Sequence, residues 1–181
     1  MNPSNTDQAH AFVDKSRRGP THLVAAAVVP IASVQPVRSL MRSLRMPGAR
    51  RIHFKHERDA VRKDIAAAMV EAPLRARIYF GRGKAEEVRR ALLTALVLDL
   101  APDGLARLVL DSRDRVGDHA DRQVIHEAMR ASGGDTFGFA HLRSHEEPAL
   151  WVPDVVAWCW GAGGEWRRRI DSIIDHAREV G

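Results

Sequence analysis

Ala11-Phe12-Val13-Asp14-Lys15-Ser16 reads as a short apolar strand that stops at an acid and a turn. A buried strand ending in a carboxylate places that charge at the rim of a sheet. In open α/β sheets the rim at the strands' carboxyl ends is where ligands bind. Two later segments repeat the pattern. Leu108-Val109-Leu110-Asp111 is a second apolar run ending in an acid, and Asp154 stands at the start of the apolar helix Val155-Val156-Ala157-Trp158. Asp14, Asp111 and Asp154 are therefore expected to converge on divalent metal. Carboxylate oxygens are hard ligands that suit hard cations. Acids held close together also repel one another, so a cation normally occupies such a cluster.

Outward from this stretch the chain alternates strands and helices. The turn at 16–20 joins the first strand (11–14) to a second over 22–29, rich in Val and Ala, as an antiparallel hairpin that Pro30 ends. Apolar residues at helical spacing (Val34, Val37, Leu40, Met41, Leu44) predict a helix over 34–46, with Arg38, Arg42 and Arg45 on its polar side. A third strand is expected at 51–54 and a helix from Glu57 to Glu71. Alternation over 74–80 predicts a half-buried strand, followed by a turn at 81–83 and a helix over 84–100. A strand over 105–111, a helix over 119–131 stopped by Gly133-Gly134, and a short edge strand over 136–142 come next. Helices near 153–160 and over 165–180, separated by Gly161–Gly164, close the chain. This order indicates an α/β fold: a mixed central sheet with an N-terminal β-hairpin and flanking helices. One domain is expected over 10–181, behind a frayed tail at 1–9.

The formal charge of +5 favours a polyanionic partner, because neutralising phosphates releases counterions. Nearly all of that basic charge is arginine; Lys15, Lys55, Lys63 and Lys84 are the only lysines. No apolar run approaches the roughly 20 residues of a membrane span, and no signal-type core follows Met1, so a cytoplasmic protein is expected. The single cysteine, Cys159, excludes an internal disulfide and lies among apolar residues, as a buried structural thiol does. Trp151, Trp158, Trp160 and Trp166 crowd the C-terminal quarter, where they fit core packing or a homodimer surface.

Three places in the chain resemble the domain-of-unknown-function 3800 family, whose members look ribonuclease H-like. Phe12-Val13-Asp14-Lys15-Ser16 is similar to that family's Asp-Glu-Ser-Gly strand end, with Lys15 where the family often has Glu and Arg17 where it has Gly. Leu108 to Arg113 matches an apolar strand ending in Asp. Leu150-Trp151-Val152-Pro153-Asp154-Val155-Val156-Ala157 resembles Leu-x-x-Ala-Asp-Leu-Val-Ala, with Pro153 in place of Ala. The resemblance implies a ribonuclease H-like, metal-dependent nuclease. Asp14, Asp111 and Asp154 would hold two Mg²⁺ or Mn²⁺ ions, one activating water and one stabilising the leaving oxygen. Asp114 competes with Asp111 for its role, and Asp154 also reads as a helix N-cap. Glu57 ranks first as a fourth acid, and His53, His56, His141 and His145 are weaker candidates. Lys15, Arg17, Arg18, Arg38, Arg42 and Arg45 would track the phosphates of a nucleic acid. The alternative is the same fold with a decayed site, acting as an adaptor for nucleic acid or protein.

Overall fold

The computed structural model describes residues 8–133 and 136–181. It opens with a hairpin of β1 (Ala9–Arg18) and β2 (Thr21–Pro30). The helices α1 (Val34–Leu44) and α2 (Asp59–Val70) precede β3 (Arg75–Arg82). Then come α3 (Ala85–Leu100), β4 (Leu105–Asp111), α4 (Arg115–Ser132) and β5 (Gly138–Leu142). The chain ends with α5 (Trp151–Ala162), α6 (Gly164–Ile170) and β6 (Ile174–Glu179). The six strands form one mixed sheet in the order β5-β4-β1-β2-β3-β6. β2 pairs antiparallel with β1 on one side and with β3 on the other, while β4 lies parallel to β1, β5 to β4 and β6 to β3.

Both faces of the sheet are covered, which explains the unbroken apolar run of β2. Phe12, Ala25 and Val109 point into a core shared with α1, α2 and α5. Ala11, Val13, Val24 and Leu110 point into a second core shared with α3 and α4. The hairpin pairs in full register from Ala9↔Pro30 to Arg18↔Thr21, longer than the expected strands. Its turn closes at Gly19, whose φ of 54° is open to glycine and strained for other residues.

Three expectations are corrected. Residues 51–54 are not a strand: Ile52 and Phe54 are buried, but as plugs in the α5-side core, with Phe54 opening the 3-10 turn Phe54–His56. Every place in the sheet beside β2 and β3 is already taken by another strand. The final helix over 165–180 stops at Ile170; after a 3-10 turn (Asp171–Ile173) the chain becomes β6 and pairs with β3. The unsatisfied edge of β3 outweighs helical propensity there, and charged Asp175, Arg178 and Glu179 guard the new edge. The helix expected from Glu57 starts at Asp59, which leaves Glu57 in the loop before it. Of the expected tail, 1–7 lies outside the described residues and Ala9 already belongs to β1; Gly134 also lies outside them. The tryptophans serve the chain's own packing. Trp151 is buried, with its indole N–H donating to the Ser144 carbonyl, and Trp158, Trp160 and Trp166 pack on the α5-side core. Cys159 is buried, as its apolar setting predicts.

Candidate metal centre

The parallel ladder between β1 and β4 ends at Val13↔Leu110, so the next residues in register are Asp14 and Asp111. Side chains alternate along a strand. Phe12 and Val109 lie in the α5-side core, and the two acids, two residues further on, share that side. Asp154 sits in the first turn of α5, which packs across β1 and β2. The sheet register and one helix thus bring the three aspartates toward one place. Asp14 does not end its strand: β1 runs on to Arg18, and it is β4 that stops beside it.

The electrostatics record that convergence. Burial, then the charges of Asp154 and Asp111, push the Asp14 carboxyl up to about 7, against one hydrogen bond of 2.7 Å from the Lys15 N–H. Burial also raises Asp154, partly offset by the Phe54 N–H at 3.3 Å and by the charges of His53 and Arg51, while Asp111 adds to the rise. Asp111 is raised by burial and drawn back by Arg51, by Ser144 and by Lys15. The three acids are wider apart than the one set, among the described residues, whose ligand atoms all fall within 4.8 Å. Mutual repulsion acts in that direction.

Beside Asp111 opens a polar depression of about 580 Å³, rimmed by Arg51, Arg113, Arg115 and Arg143. Arg51 is steered by its hydrogen bond to the Ser144 hydroxyl. Asp114, the rival to Asp111, caps α4 instead, accepting from the Gly117 N–H at 2.7 Å.

The other candidates scatter. Lys15 alternates with Val13 onto the α3 side, where it meets the charges of Arg89 and Arg113. Arg17 shares that side and donates to the Gly19 carbonyl. Arg18 is on the α5 side, over the Trp158 ring at 5.2 Å. Arg38 is held by Glu147 through hydrogen bonds of 2.8 and 2.5 Å and lies near His10, four residues before Asp14 on β1. Arg42 and Arg45 are exposed at the end of α1. Glu57 is half-buried, and no described contact carries its carboxylate to the aspartates. His53 is nearer: its charge acts on Asp154, and its ring meets His56 edge-on at 4.3 Å. His145 lines the polar depression.

Sequence reasoning missed the tightest cluster. Asp118 and Asp121 of α4 and His141 of β5 bring ligand atoms within 4.8 Å of one another, a spacing that could hold a metal ion. Both aspartates are already engaged, while neither ring nitrogen of His141 has a hydrogen-bond partner among the described residues. Arg89 makes two hydrogen bonds to Asp121, of 2.8 and 2.6 Å, and Arg113 adds one of 3.0 Å. Asp118 accepts from the Ser112 hydroxyl at 2.6 Å and the Arg113 N–H at 2.8 Å. Burial would raise Asp121, yet Arg89 and Arg113 hold it well below the usual carboxylate range. His141, a weaker candidate in the sequence, is a β5 residue with a buried side chain, its Nε2 3.5 Å from Asp121. The available signal was Asp118 and Asp121 three apart on a helix.

No family model matches the chain, so that comparison gives the domain-of-unknown-function 3800 resemblance no support. No curated protein matches it either. Among solved structures, it is similar to a chain in the complex of PCNA and RNase HII from Archaeoglobus fulgidus. The two are 14% identical with a TM-score of 0.55, over 90% of this chain and 75% of that one. RNase H1 from Halobacterium salinarum matches at 13% identity and a TM-score of 0.39, over 77% of this chain and 90% of that one. No helix among the described residues is long and apolar enough to cross a membrane. With its mixed six-stranded sheet and flanking helices, the chain has a ribonuclease H-like fold.

Proposed function

We propose that this chain is a metal-dependent nuclease that hydrolyses phosphodiester bonds at Asp14, Asp111 and Asp154. The observation that carries the reading is the register that sets Asp14 and Asp111 one step beyond the Val13↔Leu110 pair, with Asp154 in the first turn of the helix packed on β1; burial and the two other acids push half-buried Asp14 up to about 7. Such a cluster gains most from a cation, and its all-oxygen donor set fits Mg²⁺ or Mn²⁺. Bound there, a divalent ion would supply Lewis-acid polarisation of the phosphoryl oxygen and a more acidic water. The chain's own residues do the rest. β1 and β4 fix Asp14 and Asp111 side by side, and the Phe54 N–H orients Asp154. Arg51, Arg115 and Arg143 along the depression suit the phosphates on either side of the reacting one. Asp118 and Asp121 serve instead as a brace between α3 and α4, with His141 of β5 3.5 Å from Asp121, since Arg89 and Arg113 pair with Asp121 and the Ser112 hydroxyl and Arg113 N–H hold Asp118.

The test is thermal melting with Mn²⁺, alongside cleavage of labelled RNA and DNA, on the wild type and on Asp14→Asn. A ligand that binds only the folded chain raises its melting temperature. Mn²⁺ is expected to stabilise the wild type and support cleavage, and to do neither in the variant. Binding of nucleic acid with no cleavage under any divalent metal would favour the adaptor reading, to which the loose spacing of the three acids gives its one support.

A further inference from the structure

A second recess opens on the same sheet rim, where the outer ends of the β1–β2 hairpin and of β3 meet the C-terminal turn of α5. It measures about 280 Å³ and is lined by Arg18, Phe80, Arg82, Trp160, Arg167 and Glu179, among others. That is close to the roughly 300 Å³ at which small-molecule sites begin, room for a group the size of one nucleotide. The Phe80 and Trp160 rings lie 6.4 Å apart at a 42° tilt, both half-buried. Three exposed guanidiniums, of Arg18, Arg82 and Arg167, converge here, and none has a carboxylate partner among the described residues. Arg167 lies 3.9 Å over the Trp160 ring and donates to the Trp160 carbonyl. Gly161 makes the recess possible: a Cβ there would stand 2.8 Å from the Arg18 side chain, so its absence seats the arginine stem against the helix.

We propose that this recess holds one unpaired nucleotide of a single strand, its base against Trp160 and Phe80 and its phosphate among the three arginines. Arginine forks match phosphate oxygens, and aromatic faces accept any base. A base inside a duplex is already stacked and cannot enter a walled recess. The recess also belongs to a longer track. Trp160 lies six residues beyond Asp154 on α5, about 9 Å along the helix axis, which is two to three stacked nucleotides at about 3.4 Å each. Arg18 stands between, over Trp158. The inference rests on the nuclease reading only for the direction of that track, and it names the substrate class as single-stranded.

The test is fluorescence anisotropy of a labelled single-stranded oligonucleotide and of the same sequence as a blunt duplex, in EDTA, so that cleavage plays no part. The single strand is expected to bind about tenfold tighter than the duplex. Trp160→Ala is expected to weaken single-strand binding about tenfold, with Trp160→Phe retaining most of it. Arg82→Gln, at an exposed strand end, should weaken binding and flatten its salt dependence by about one ion. Glu179→Gln, which removes the acid from the lining, should tighten it. The Mn²⁺-induced rise in the wild type's melting temperature, read separately, reports the carboxylates, so failure of the recess and failure of the nuclease reading are distinguishable. Equal binding of wild type, Trp160→Phe and Arg82→Gln together with an unweakened Trp160→Ala, or duplex binding as tight as single-strand binding, would overturn the proposal. A nucleoside monophosphate that displaces the oligonucleotide at equal affinity would overturn the assignment to a strand.

Discussion

Neutralising Asp14 should stabilise the metal-free protein, and only in a defined pH window. In the folded chain its carboxyl is pushed from an ordinary 3.8 up to about 7, first by burial and then by Asp154 and Asp111. A raised acid favours the protonated form, so its cost to stability is absent below the ordinary value, grows as the pH rises, and is complete above about 7. Three pH units at about 1.36 kcal/mol each set a ceiling of roughly 4 kcal/mol. Asp14→Asn removes the charge and keeps an oxygen that can accept from the Lys15 N–H. In EDTA at pH 8 the variant should therefore be about 2–4 kcal/mol more stable than the wild type, a rise of roughly 4–16 °C in melting temperature for a chain of this size. At pH 5 only about one of the three pH units of that rise has been crossed, so the difference should fall to roughly a third of its value at pH 8. Melting curves of both proteins across pH 5–8 read this directly. A variant no more stable than the wild type at pH 8, or a gain equal at both pH values, would refute the claim that burial and the two other acids strain the Asp14 carboxylate.

Other perturbations separate the site from the scaffold. Asp111→Asn should lower Mn²⁺-dependent cleavage about a hundredfold or more, equivalent to ~3 kcal/mol of barrier, with a melting temperature in EDTA no lower than the wild type's. Asp121→Ala should cost about 3–5 kcal/mol in urea unfolding, because Arg89 and Arg113 lose their shared buried partner. The Mn²⁺-induced rise in melting temperature should survive that change; its loss would make Asp118, Asp121 and His141 the metal centre. Asp121 is depressed, so its stabilisation is present above the ordinary 3.8 and lost as the pH falls below it; the acid limb of the stability curve should therefore flatten in Asp121→Ala. Gly81→Ala would bring a Cβ to 2.3 Å from the Val180 carbonyl and should cost about 1–3 kcal/mol by urea unfolding.

The sheet was legible where one physical signal dominated. Ten residues of β2 with hardly a polar side chain require a strand covered on both faces, and the runs into Asp14 and Asp111 placed acids at a common rim. The signal failed where tertiary context chose between near-equal local options. Ile52 and Phe54 alternate like a strand, yet they fill the core beside α5. The residues after Ile170 could extend a helix, but the open edge of β3 captures them. The brace of Arg89, Asp118, Asp121 and His141 joins two helices and an edge strand far apart in sequence. Nothing local marks it beyond two acids three apart. The same limit hid the aromatic recess, whose Phe80 and Trp160 meet only through the fold.

Lys15 shows how far sequence adjacency can mislead. Beside Asp14 along the chain, it reads as a positive charge placed where a cation should bind. The strand pleat separates the two: Asp14 faces α5, and Lys15 faces α3 with Arg89 and Arg113. Asp14 and Lys15 thus lie on opposite sides of one strand, although the lysine's charge still draws Asp14 and Asp111 down, and the arginines on the α3 side are tied down by Asp121 and Glu86. Lys15→Glu tests this geometry. If adjacency governed, the new acid would join the carboxylate cluster and tighten Mn²⁺ binding markedly. If the pleat governs, it pairs with Arg89 and Arg113 in place of a repelled lysine. The melting temperature in EDTA then rises modestly, while the Mn²⁺ concentration that gives half the metal-induced shift stays within about threefold of the wild type's. A drop of tenfold or so in that concentration would place Lys15 in the metal centre and refute the assignment of sides.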